Sequence, residues 1–329
     1  MSNVRLDIDG PIAVITNDRP DKHNAFDDDM DLALFEILGE LRSRPDVRAV
    51  IWRGTGKSFS SGRDVSAIGV NQTSMSHHEL MTRGHRGIQQ LFDLDAPVIV
   101  ACHGWTLGGS FQRALLCDIR IAATGARFML PEVGHGVIPD TGGVARLFQI
   151  CGPGLVSDLV LTGRVLEAEE ALAHGIVSRV VAPEVLDDTA REMAERIAAA
   201  PAATVKLARR VIGRMSEPQV RASMEDELIG QTYVNRSDDF AEFRAAAPKA
   251  ASPATPGAEP CRPNEADAVR PPHASPDGRR RAAGGHLRRI GRVRHRRRHR
   301  PGRRHRRRVR PPGRRPGHRQ PQPRSPGRR

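Results

Sequence analysis

Cysteine is scarce. The chain has four in 329 residues, Cys102, Cys117, Cys151 and Cys261, and none falls in CxxC spacing. That excludes a disulfide framework and a zinc site. Three of them lie in apolar contexts and are expected to be small buried hydrophobes. Aromatics supply only 4% of the chain, and none occurs beyond residue 247. No apolar run approaches the roughly 18–20 residues of a membrane helix, and the first residues do not resemble a signal peptide. A soluble, cytoplasmic protein with no membrane partner is therefore expected. His77-His78 has no metal-ligand spacing and reads as a helix start, so no metal is expected.

Charge divides the chain in two. Residues 248–329 carry 26 Lys/Arg against 4 Asp/Glu, so the chain total of +14 conceals a net +22 there and a net −8 over residues 1–247. The basic character belongs to the tail alone. Residues 1–247 hold every aromatic and nearly all the periodic apolar pattern, and only they can bury a sizeable core. The tail, rich in Arg, Pro, Gly and His, is expected to be disordered and protease-sensitive. Its composition is what GC-rich DNA yields when read out of frame, which points to a frameshift near codon 247; an uninterrupted frame in transcript and protein would contradict this. The rival reading is a basic arm binding polyanions by phosphate neutralisation. Without aromatics to stack on bases, it would bind no specific nucleic acid.

The body reads as α/β followed by helices. Val4–Asp9 and Ile12–Asn17 flank Asp9-Gly10, a hairpin signal. A helix is expected over 28–43 and strands at 49–53, 97–101 and 118–122, with helical segments at 77–94 and 109–116 between them. Alternation of this kind implies parallel pairing through crossovers. Beyond Gly142 the expected helices are 143–162, 168–174, 183–199, 202–215, 217–231 and 238–246, interrupted by a strand at 176–181. Two glycine turns, Ser61-Gly62-Arg63-Asp64 and Leu107-Gly108-Gly109-Ser110, each follow a strand-like run. They can bring two backbone N–H groups to bear on one oxygen, because glycine lets a ligand approach the main chain with no Cβ between.

Four ordered segments, NDRPDKHNAF (17–26), GKSFSSGRD (56–64), ACHGWTLGGSFQRALLCD (101–118) and FMLPEVGHGVIPDTGG (128–143), closely resemble the crotonase, or enoyl-CoA hydratase/isomerase, superfamily. The resemblance covers about residues 3–246. It implies a ββα spiral core over residues 1–200 with the acyl-CoA site, a helical trimerisation region over 201–247, and the separate tail 248–329. It also implies an acyl-CoA thioester substrate, no cofactor beyond the coenzyme A of that substrate, and a homotrimer or hexamer. The family's oxyanion-hole N–H groups carry over to Arg63 and Gly109. Lys22, His23, Ala25, Ser61 and Asp64 match positions that meet the substrate. Hydratases of the family use two glutamates; the second is Glu132, but the first position holds Gln112. Glutamine exchanges no proton near neutral pH, though it can hold a water or orient Glu132. Asp140 stands where several isomerases carry a catalytic aspartate, and it also reads as a cap for the helix that follows. The resemblance therefore favours double-bond isomerisation of an enoyl-CoA, with hydration as the alternative. A non-catalytic acyl-CoA- or polyanion-binding protein is the reading from a different class.

Overall fold

The computed structural model describes residues 3–64, 66 and 75–246. The tail 248–329, with the disorder expected of it, and Cys261 lie outside the described residues. In chain order the strands are β1 (Val4–Asp9), β2 (Ile12–Asn17), β3 (Ala49–Gly54), β4 (Val98–Cys102), β5 (Trp105–Leu107), β6 (Ile119–Ala123), β7 (Arg127–Met129), β8 (Leu166–Glu167) and β9 (Arg179–Val181). The helices are α1 (Asp28–Arg42), α2 (His77–Asp93), α3 (Gly108–Leu116), α4 (Gly143–Thr162), α5 (Ala168–Ala173), α6 (Leu186–Ala199), α7 (Ala202–Val234) and α8 (Asp238–Ala246).

A six-stranded sheet runs β1-β2-β3-β4-β6-β9, antiparallel only at the β1/β2 hairpin. Strand side chains alternate between faces, and here both faces are covered. Ala13, Ile15, Val50, Trp52, Val98 and Val100 meet the layer of α1 and α2, whereas Ile12, Ala49, Ile51, Ile99, Ala101 and Ile121 meet Leu186, Ala190 and Ala194 of α6. Double coverage explains why these strands read as continuous apolar runs. The helix starts obey local rules: Asp27 accepts the Met30 N–H ahead of α1, and Ser76 forms a capping box with Glu79 ahead of α2.

Four features depart from the sequence expectations. A second sheet, β5-β7-β8, was not anticipated, because its strands are only two or three residues long and carry no readable period. The strand expected at 176–181 begins only at Arg179. The break expected between 215 and 217 is absent: α7 runs 33 residues through Pro218. Proline removes one hydrogen bond at a cost of about 3 kcal/mol, and burial of Gly213, Val220 and Met224 on that helix supplies the offset. Finally, α4, with a mean hydropathy of 1.4, is long and apolar enough to cross a membrane by length and composition. It bends at Gly152 (φ +74°) ahead of Pro153 and packs one face on α3 and α7, leaving Phe148 and Leu161 exposed.

Cys102 and Cys117 are buried and Cys151 half-buried. On α7, Leu207, Val211, Ile212, Met215, Ile229 and Tyr233 are exposed, whereas Met224 is buried.

Candidate active site

The two glycine turns lie against each other. Ser60 and Thr106 form a parallel bridge, Leu107 N–H donating to the Ser60 carbonyl (3.0 Å) and Ser60 N–H to that of Trp105 (3.1 Å). The Ser60 and Ser110 hydroxyls meet at 2.7 Å, which ties the first turn to the start of α3. Gly62, at φ +85°, sits so close to the second turn that a Cβ there would lie 2.8 Å from the Leu107 carbonyl oxygen. In the bridge between Phe26 and Arg63, the bonds run through the Gly62 carbonyl and the Asp64 N–H. The Arg63 N–H therefore points away from Phe26 and forms no part of that ladder. Gly109 is the second residue of α3, a helix without a side-chain cap, so its N–H has no acceptor within the helix. A Cβ built on Gly109 would meet nothing within 4 Å. A free N–H at a helix N-terminus is suited to stabilising an oxyanion.

Glu132 opens a short 3-10 turn (Glu132–His135) and is only 9% exposed. A Cβ on Gly108 would stand 3.3 Å from its Oε1, which places the carboxyl against the second turn. Gln112 Nε2 donates to Glu132 Oε1 (2.8 Å), while Thr141 N–H donates to Gln112 Oε1 (2.8 Å). Gln112 thus links Glu132 to the segment bearing Asp140. Glu132 Oε2 has no partner among the described residues. Burial, reinforced by the nearby Asp140, pushes the Glu132 carboxyl up to about 7, against its own backbone and Gln112. Burial likewise pushes half-buried Asp140 up to about 6, opposed by the Thr141 hydroxyl, Arg113 and Arg63. The capping reading of Asp140 does not hold: Gly142 is the N-cap of α4, with no side-chain capping bond.

The 19–26 corner adjoins the first glycine turn, Arg19 pairing with Asp64 and Ser61 bonding to His23. Lys22 and His23 are exposed on a left-handed corner (His23 φ +49°), and Ser61 N–H donates to the His23 carbonyl (2.9 Å). Buried Ala25 accepts from Arg19 through its carbonyl (3.0 Å). Asp64 is buried and pairs with Arg19 (3.0 Å); burial raises its carboxyl, but the Ser66 hydroxyl and N–H, with Arg19, outweigh that and hold it below the usual carboxylate range. Its charge is engaged within the protein. The Arg63 guanidinium pairs with Asp28 and Asp31 of α1, leaving its N–H as the group that can serve the site. His103 Nε2 donates to the Gly56 carbonyl (3.1 Å) and His135 stacks on Phe243 (4.9 Å), both packing roles. Among the described residues no group of three or more His, Cys, Asp or Glu is placed to hold a metal.

Residues the sequence reading missed hold the Asp140 segment. His85 of α2 donates from Nε2 to the Asp140 carbonyl; Glu227 of α7 accepts the Gly142 N–H (2.7 Å), and Gln231 accepts that of Ile138 (3.1 Å). A signal for two of them existed: Glu227 and Gln231 interrupt the buried stripe that Gly213, Val220 and Met224 trace along α7. A charged residue on such a stripe is buried only when paired.

The profile described as enoyl-CoA hydratase/isomerase matches residues 7–246. A short-chain-enoyl-CoA hydratase of Clostridium acetobutylicum is 36% identical over 71% of this chain and 90% of its own length. A carnitinyl-CoA dehydratase of Salmonella arizonae is 43% identical over 62% of this chain and 78% of its own. Among solved structures, an enoyl-CoA hydratase/isomerase from Pseudoalteromonas atlantica superposes with a TM-score of 0.69 at 27% identity, covering 74% of this chain and 96% of that one. A monofunctional enoyl CoA isomerase from M. smegmatis superposes at 0.56 with 31% identity, covering 70% and 99%. The match takes in both glycine turns, both acid groups and nearly every described element, and the chain belongs to the enoyl-CoA hydratase/isomerase family of the crotonase superfamily.

Proposed function

We propose that this chain moves the double bond of an enoyl-CoA thioester, with Glu132 as the proton carrier. The observation that carries the reading is the Gln112–Glu132 contact: where paired glutamates would serve hydration, one member is an amide that holds the other in place. The thioester carbonyl oxygen accepts the Arg63 and Gly109 N–H groups. Ionised Glu132 takes a proton from the carbon between the carbonyl and the double bond, and the C–H electron pair moves into an enolate stabilised by those donors. The same carboxyl, now protonated, returns the proton to the γ-carbon, and the double bond moves into conjugation. A group poised near 7 suits both halves of the cycle. Asp140 keeps a second carboxyl near the acyl chain and, by its charge, helps hold Glu132 basic. The 19–26 corner, with Lys22, His23 and Ala25, and the adjoining Ser61 form the surface assigned to the rest of the substrate. Coenzyme A arrives as part of that substrate, and no further cofactor enters the scheme.

The hydratase and dehydratase names of the relatives favour a second reading, addition or removal of water. A side-by-side assay of 3-enoyl- and 2-enoyl-CoA thioesters separates the two. Isomerisation of the 3-enoyl thioester should be the faster reaction by tenfold or more, and Gln112→Glu should raise hydration of the 2-enoyl thioester by a similar factor. Fast hydration by the unaltered protein reverses the ranking. The exposed apolar row on α7 supports a trimer or a pair of trimers; a monomer by light scattering would contradict that.

A further inference from the structure

The segment carrying Asp140 is wedged between two helices. On one side a Cβ at Gly143 would strike Gln112 of α3, 2.4 Å from its Cγ; on the other, a Cβ at Gly142 (φ +78°) would strike Val220 Cγ1 of α7 at 2.8 Å. Packing alone would still let such a glycine-rich strip slide or twist. On the α7 side it is fixed by Gln231, which accepts the Ile138 N–H (3.1 Å), and nearest Asp140 by Glu227, 8% exposed, whose Oε2 accepts the Gly142 N–H (2.7 Å) and whose Oε1 accepts the Ser223 hydroxyl (2.9 Å). Gly142 stands two residues from Asp140, and the intervening Thr141 N–H is bonded to Gln112 (2.8 Å), which in turn holds Glu132. One acceptor on a helix far along the chain is thereby linked through two backbone amides to both acid groups.

We propose that Glu227 is a positioning residue for Asp140, acting through the Gly142 N–H. The inference rests on the reading of Asp140 as a working acid beside Glu132, and it assigns to α7 a part in setting its geometry. Glu227 touches no reacting atom. Its hydrogen bond orients the segment, so an acceptor of the same shape should serve, and a shorter one should not.

The test is a double-mutant cycle on the full chain, using whichever of the 3-enoyl- and 2-enoyl-CoA thioesters is turned over faster. Glu227→Ala should lower kcat about tenfold with KM within about twofold, the effect of a displacement well under 1 Å at Asp140. Glu227→Gln, which keeps an oxygen for Gly142 and gains an N–H for Ser223, should restore kcat to within about threefold. On an Asp140→Asn background, Glu227→Ala should change kcat less than twofold, because the group it places is already lost. Should the alanine variant not fold, Glu227→Asp, short by one methylene, runs the same cycle with an expected loss of about fivefold. An equal loss on both backgrounds, or a glutamine that restores nothing, overturns the proposal. An Asp140→Asn protein with unchanged kcat instead removes the Asp140 reading itself, and with it the target assigned to Glu227.

Discussion

Glu132→Gln is expected to lower turnover at least about a hundredfold, the usual worth of general acid–base catalysis, while making the protein more stable at alkaline pH. The two effects share one cause. Burial raises the Glu132 carboxyl from an ordinary 4.5 to about 7, so the folded chain keeps a proton that the unfolded chain releases. The stability owed to that neutral acid is complete below about 4.5 and is lost as pH rises through about 7. At 1.36 kcal/mol per unit, the ionised form opposes folding by roughly 3 kcal/mol. Glutamine never ionises, although its amide leaves a buried N–H without a partner where Oε2 stood, at about 1–2 kcal/mol. A net gain of about 1–2 kcal/mol at pH 8, vanishing or reversing by pH 5, should appear in denaturant midpoints measured at both values. Activity retained in this variant, or a stability change independent of pH, would sink the assignment.

Gly62→Ala is expected to lower kcat/KM about a hundredfold, comparable to removing one oxyanion donor. Its Cβ would lie 2.8 Å from the Leu107 carbonyl oxygen, a main-chain atom that cannot swing aside. The two turns must then move apart, and the Arg63 and Gly109 N–H groups with them. Positive φ alone costs about 1 kcal/mol in alanine, and Gly10→Ala provides the control: Gly10 has φ +55° with nothing within 4 Å of the added Cβ. The control should lose a little stability and no activity. If both variants lose activity alike, strain rather than separation of the turns is responsible.

Much of the site was legible because its parts are local in sequence. The glycine turn that leads into α3 is visible in Leu107-Gly108-Gly109-Ser110 alone, and the substitution of Gln112 for an acid shows in the resemblance to the family. What Gln112 does was not visible, since its two partners, Glu132 and Thr141, lie 20 and 29 residues away. The Arg63 side chain was likewise undecided in the sequence; its pairing with Asp28 and Asp31 depends on how α1 crosses the first turn. In the fold, long periodic elements such as α1 and the β1/β2 hairpin were readable, whereas β5, β7 and β8 are too short to carry a pattern. The break expected at 216 is absent although Pro218 follows it, because a helix-breaking preference of about 3 kcal/mol is outweighed by packing along α7. Glu227 escaped notice for the same reason that it matters: its partner Gly142 is 85 residues distant.

The most direct test of Glu132 as the working base is the pH dependence of kcat/KM for isomerisation of a 3-enoyl-CoA thioester between pH 5 and 9. Activity should rise with pH and level off through an apparent value near 7, as the buried Glu132 carboxyl loses its proton with Asp140 ionising somewhat earlier in the coupled pair. The same rise should be absent from the residual activity of Glu132→Gln. A rise centred instead near the ordinary carboxylate value of 4.5, or one that survives unchanged in the glutamine variant, would contradict the account.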